Sequence, residues 1–165
     1  MPIINNLENN ILMEICLVNN SELDVQLSRS DWENWIPFTF LLEVPNERYF
    51  YDDKNGATFN LFETKRLIGE VRKLIHLRKH NQAFEKTFED FKFFNIEAQL
   101  GIVIYDPLEE NELGIIVWIK MGAHSNGQIV GFDTGYDFVA SLSCVEKFVN
   151  ELDQQLIGLL GKLEY

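Results

Sequence analysis

The sequence predicts an α+β domain, a mainly antiparallel sheet with two amphipathic helices packed on it. Three observations lead there. Strand-like segments follow one another through polar turns, as hairpin-linked antiparallel strands do. Two longer stretches carry apolar residues at helical spacing. The chain has 165 residues, 46% of them hydrophobic and 13 of them Phe, enough to bury one core. A single domain over residues 1–165 is the expectation.

Residues 11–18 form an apolar run and read as the first strand. Leu23-Asp24-Val25-Gln26-Leu27 alternates with period two, the pattern of a half-buried strand. Residues 35–44 read as a strand with Pro37 near its start or edge, because proline donates no ladder bond. Tyr49-Phe50-Tyr51 is a short aromatic strand, followed by turn chemistry in residues 52–56.

Asn60 with Glu63 three residues later matches a capping box, so a helix begins there. Leu67, Val71, Leu74 and Arg78 share one row of it, with Ile68 and Ile75 alongside. Its closing turns hold Arg72, Lys73, Arg78 and Lys79, which complement the negative end of the helix dipole. Helix extension and loop compete over residues 81–90, where Phe84, Phe88 and Phe91 recur.

Residues 93–105 turn to strand, and 113–121 resume it after a polar loop containing Pro107, which argues for a β-hairpin. Residues 122–135 hold Gly122, Gly127, Gly131 and Gly135 and read as loop with a short strand around Ile129-Val130. A last helix opens with Ser143 as cap and Glu146 closing a capping box. Val145, Phe148, Val149, Leu152, Leu156, Leu159, Leu160 and Leu163 form its stripe, which reads as core packing on the sheet.

No catalytic motif stands out. His76 and His80, at i and i+4, have the spacing of a zinc pair, but Leu77-Arg78-Lys79 between them supplies cations and no glutamate base. His124 beside Ser125 lacks a nucleophile elbow or an orienting acid and reads as a loop histidine. Gly127 to Gly131 lacks the Lys-Ser/Thr of a phosphate loop. Asp133 with Asp137, or Asp52 with Asp53, would suit acid–base chemistry only at the right separation, and surface solvation is the plainer reading. No cofactor and no metal is expected. Cys16 and Cys144 read as buried free thiols.

Charge says more. Asp plus Glu number 26 and Lys plus Arg 14, a formal net charge of -12. Such a chain repels phosphate backbones and anionic lipid, so neither nucleic acid nor membrane is an expected partner. A basic protein would be attracted and steered to it. Six of the basic residues, Lys65, Arg66, Arg72, Lys73, Arg78 and Lys79, crowd one helix. The opposite concentration is Asp106, Glu109, Glu110 and Glu112 at the predicted hairpin tip, a candidate partner-binding loop. Trp32, flanked by Asp31 and Glu33, is a candidate interface anchor. The first residues lack the basic and apolar regions of a signal peptide and no apolar run reaches bilayer length, so a cytoplasmic location is expected.

Several segments together resemble a known layout: Asn34-Trp35-Ile36 opening a strand, Ala57-Thr58-Phe59-Asn60-Leu61-Phe62-Glu63 leading into a helix, a strand pair, and Ser143 to Leu160 as a closing amphipathic helix. The order resembles the WapI-type immunity proteins of bacterial polymorphic toxin systems. That resemblance implies a small cytoplasmic protein that binds and neutralises a toxin domain, and it transfers no functional residue. Three classes of function stay open on the residues: a non-enzymatic immunity protein with a basic toxin partner, a small ligand-binding or homo-oligomerising domain, and a hydrolase using two carboxylates.

Overall fold

The computed structural model describes residues 1–52, 56–80, 85–125, 127–128 and 133–161. Among the described residues, nine strands and three helices follow in order: β1 (Ile3–Asn5), β2 (Leu12–Leu17), a 3₁₀ turn (Asp31–Glu33), β3 (Trp35–Val44), β4 (Glu47–Tyr51), β5 (Thr58–Asn60), α1 (Leu61–Lys79), β6 (Phe91–Phe94), β7 (Leu100–Tyr105), β8 (Glu112–Lys120), α2 (Met121–His124), β9 (Asp133–Ser141) and α3 (Leu142–Leu160). The strands make two antiparallel sheets rather than one. The first runs β1-β2-β3-β4, with β5 paired to the start of β3, and the second runs β6-β7-β8-β9. The α+β class holds, with α1 and α3 as its two long helices.

Period-two alternation places the core. In the first sheet Met13, Leu42 and Tyr49 stand side by side and buried, as do Ile15, Phe40 and Tyr51 in the next row. In the second, Ile104 and Ile115 face the same interior. One contiguous apolar cluster takes side chains from both sheets, α1 and α3. Phe59 joins the sheets within it. Its ring stacks on Phe38 at 3.8 Å and meets Phe93 of β6 edge-on at 5.6 Å. At the rim the Tyr49 and Tyr136 hydroxyls lie 2.5 Å apart and both donate to the Glu47 carboxylate, which they hold below its ordinary pKa.

The capping box of α1 is present. Asn60 Oδ1 accepts from Glu63 N at 2.7 Å, and Glu63 Oε2 accepts from Asn60 N at 2.9 Å. Glu63 also accepts from Ile96 N at 2.6 Å through Oε1, tying the helix start to the turn after β6. The side chain is buried, which raises its carboxyl pKa against the pull of those two N–H donors. Glu63→Ala strands both donors and is expected to cost about 2 kcal/mol, read from urea denaturation. A loss under about 0.5 kcal/mol would show that water replaces the carboxylate without penalty.

Four readings of the sequence need correction. Residues 23–27 form no strand. A single bridge links Asp24 to Trp35, and Gln26 N bonds instead to the Asn34 side chain at 2.8 Å. Residues 93–105 are two strands, because Asn95 Oδ1 accepts from Gln99 N and Leu100 N and folds a turn between them. β9 begins in residues read as loop, 133–135, and continues through 136–141, for which the sequence suggested no element. That helix is capped by Ser141, whose hydroxyl accepts from Cys144 N at 3.2 Å, two residues before the expected cap. The short β1 and β5 are additions. Ile129-Val130 and the His124 side chain lie outside the described residues. Cys16 and Cys144 are free thiols, both half-buried.

Candidate partner-binding surface

The four acids of the β7–β8 hairpin divide into two groups. Glu109 and Glu110 are exposed at the tip and Glu112 is half-exposed at the start of β8. Asp106 is not part of that patch. Its side chain is fully buried, as is that of Arg78, and Arg78 Nη1 reaches both carboxylate oxygens at 3.3 Å. Three further donors converge on Asp106: Thr87 N at 2.8 Å, Thr87 Oγ1 at 2.7 Å and Leu108 N at 2.8 Å. Arg78 occupies the last position of the apolar row of α1, so its guanidinium enters the interior and needs an acid there. Burial pushes the Asp106 carboxyl up, but the Thr87 and Leu108 donors and the Arg78 charge outweigh it and leave it below the usual range.

This pair clamps three segments together: the end of α1, residues 85–87 and the root of the hairpin. Glu89 and Asp90 are exposed a few residues beyond the Thr87 attachment. The acidic end of the molecule therefore comprises the hairpin tip and a second acidic segment, with Lys86 engaged by Glu89 at 2.8 Å.

Trp32 lies elsewhere. It is 51% exposed, and its ring stacks on Phe62 at 4.0 Å, beside the start of α1. At about 1.5 Å per residue, Phe62 and Arg78 stand about 24 Å apart along the α1 axis. Trp32 and the acidic tip thus sit at opposite ends of one helix and do not form one site.

The basic helix is neutralised from within. Lys65 pairs with Asp31, Arg72 with Asp153, Lys73 with Glu70, Arg78 with Asp106 and Lys79 with Glu146. Arg66 lies over the Phe91 ring and donates to Lys92 O. By contrast, Glu109, Glu110 and Glu112 make no ion pair among the described residues. Among the described residues Lys92 and Lys120 also make no ion pair, but the acids without one outnumber such bases.

Among the described residues, neither the histidine pair nor Asp133 with Asp137 has the geometry of the chemistry its spacing suggested. His76 and His80 stack at 4.2 Å between ring centroids, and His80 Nδ1 contacts the His76 carbonyl at 2.7 Å. Asp133 and Asp137 point to the same side of β9, about 13 Å apart along the strand. Paired glycosidase carboxylates stand roughly 5–9.5 Å apart. Asp53, of the other acid pair, lies outside the described residues.

The outer face of the second sheet carries a feature that the sequence reading missed. One row across its four strands is Phe94, Gly101, Trp118, Gly135. Each ring lies over the glycine of the neighbouring strand. A Cβ at Gly101 would fall 2.3 Å from Phe94 Cε1, and one at Gly135 would fall 2.8 Å from Trp118 Cζ3. The same pattern recurs toward the hairpin, where Tyr105 covers Gly114 and its hydroxyl donates to Asp137 at 2.8 Å. Burial and that carboxylate push the Tyr105 phenol up to about 12. Beyond the Phe94–Trp118 row lies a cleft of about 350 Å³, walled by Gln99, Lys120 and Asp133. The available clue was glycine at strand-interior positions, which marks a close approach, but register is needed to see what approaches.

A family model described as the immunity protein WapI-like family matches residues 3–158. The chain belongs to that family. The match takes in every strand and all but the end of the last helix, so it covers both sheets, the hairpin and the aromatic row. No curated protein gives a significant match to the chain. As a WapI-like chain it has no helix, among the described residues, long and apolar enough to cross a membrane.

Proposed function

We propose that this WapI-like protein acts by binding, not catalysis, as an immunity protein that neutralises a basic toxin domain. The observation that carries this reading is the family match over residues 3–158. The uncompensated acids of the hairpin tip support the sign of the partner's charge. A toxin that holds a nucleic acid needs a basic surface, and an acidic protein can occupy it. Glu109, Glu110 and Glu112 are the contacts expected to steer that encounter, on a hairpin whose root Asp106 holds in place. Trp32, an exposed ring stacked on Phe62, is a separate anchor available only to a partner that spans the length of α1. A protein of this kind works in the cytoplasm, where the toxin would act.

The test is co-expression with the toxin-like domains encoded beside its gene, followed by purification of the complex. The expected result is a stable complex whose association slows as salt rises. Glu109→Lys combined with Glu110→Lys and Glu112→Lys should slow association by roughly 10-fold at low salt, with less effect on dissociation. No complex with any neighbouring product would overturn the reading.

A further inference from the structure

We propose that the outer face of the second sheet, centred on Trp118 and Phe94, is the docking surface for the toxin, with an arginine of the partner lying against these rings. The inference rests on the immunity reading above and adds the place and chemistry of contact. Phe94 is 54% exposed and Trp118 37%, unusual for side chains of their size on a sheet. Both are fixed in advance, since each ring fills the space that the neighbouring glycine leaves empty. A tryptophan already ordered loses little freedom on binding, and tryptophan is enriched at the few positions that dominate interface energy.

The surrounding charge favours a cationic occupant by a narrow margin, since three acids, Glu112, Asp133 and Asp137, share this face with two lysines, Lys92 and Lys120. Glu112, Ile116, Trp118 and Lys120 lie on the same side of β8, so the face runs without a break from the acidic tip to the aromatic row. On the adjacent strand Asp133 and Asp137 flank the row, one to each side, both exposed. A guanidinium is the group that satisfies both elements, because its plane stacks on an aromatic ring while its edge donates to a carboxylate. The cleft at Asp133, about 350 Å³, has room for such a side chain. The hairpin acids then steer the approach, and the ring row holds the docked partner.

The experiment measures affinity of the purified neighbouring toxin domain for the wild type, Trp118→Ala, Phe94→Ala and Phe50→Ala. Phe50 is 44% exposed on β4 of the other sheet and serves as the control. Circular dichroism and melting verify that each variant is folded. Trp118→Ala is expected to weaken binding roughly 30-fold or more, mainly through faster dissociation, and Phe94→Ala by roughly 10-fold. Phe50→Ala should leave it unchanged, and Trp118→Phe should recover part of the loss. A complex that keeps wild-type affinity in both ring variants overturns this inference and leaves the immunity reading standing. Self-association of the wild type that Trp118→Ala abolishes, without loss of toxin affinity, assigns the face to a second copy and overturns it too. Absence of any complex with the wild type removes both.

Discussion

Asp106→Ala is expected to destabilise the protein by about 4 kcal/mol, and Arg78→Met by only about 2 kcal/mol. The asymmetry follows from who satisfies whom. Asp106 accepts from Thr87 N, Thr87 Oγ1 and Leu108 N besides Arg78, so its carboxylate keeps three donors when the guanidinium is removed. Arg78 has no such reserve. Among the described residues its Nε and Nη2 are buried without a hydrogen-bond partner, and apart from Asp106 its Nη1 reaches Glu85 O at 3.4 Å. Removing the acid strands a buried cation and unpairs three donors, whereas removing the cation also removes two groups that were already unsatisfied. Equal losses in urea denaturation, or a larger one for Arg78→Met, would contradict this account.

The same pair sets an acid limb of stability. The folded Asp106 carboxyl has a lowered pKa, so its contribution is present above the ordinary carboxylate value of about 3.9 and is lost as pH falls through the folded value below it. Asp106→Ala should flatten the fall in stability below about pH 4 relative to the wild type. Because Leu108 hangs from this carboxylate with φ of +66°, a conformation bulky residues rarely take, the variant should also loosen the tip that carries Glu109 and Glu110.

What the sequence reveals and what it hides divide along local against non-local causes. The start of α1 is legible because its cap is made by residues three apart, Asn60 and Glu63, whatever the rest of the chain does. The β7–β8 hairpin is legible because two apolar runs flank one polar loop. Asp106 is misassigned because the residues that bury it, Arg78 and Thr87, are distant in sequence, although two clues were present. An arginine stood on the apolar row of a helix, and an aspartate preceded the proline of a turn, where its carboxylate accepts the N–H two residues on. β9 has the alternation of a strand, with Tyr136, Phe138 and Ala140 on one side and Gly135 and Asp137 on the other. Its glycine reads as a turn until Trp118 is seen covering it. Residues 23–27 fail in the opposite way. They alternate well, but the side chain of Asn34 takes the bond that a partner strand would have offered.

Phe59→Ala should cost about 4 kcal/mol and lower both sheets together. The ring is fully buried, lies parallel to Phe38 with 6° between planes, and meets Phe93 at 73°. Phe38 belongs to the first sheet and Phe93 to the second, so the cavity left by this one ring opens where the two sheets touch. Two outcomes separate the possible architectures. With one cooperative core, as the contiguous apolar cluster implies, the loss shifts a single transition, and far-ultraviolet dichroism and tryptophan fluorescence stay coincident. With independently stable sheets, the fluorescence transition of the variant would split into two steps, since Trp118 reports on the second sheet and Trp35 on the first. Coincidence is the expected result, because either sheet alone would expose the apolar face that now covers the other. The same coupling has a functional consequence: the row of Phe94 and Trp118 lies on the reverse of the strands that Phe59 helps anchor, so its rigidity depends on the shared core beneath it.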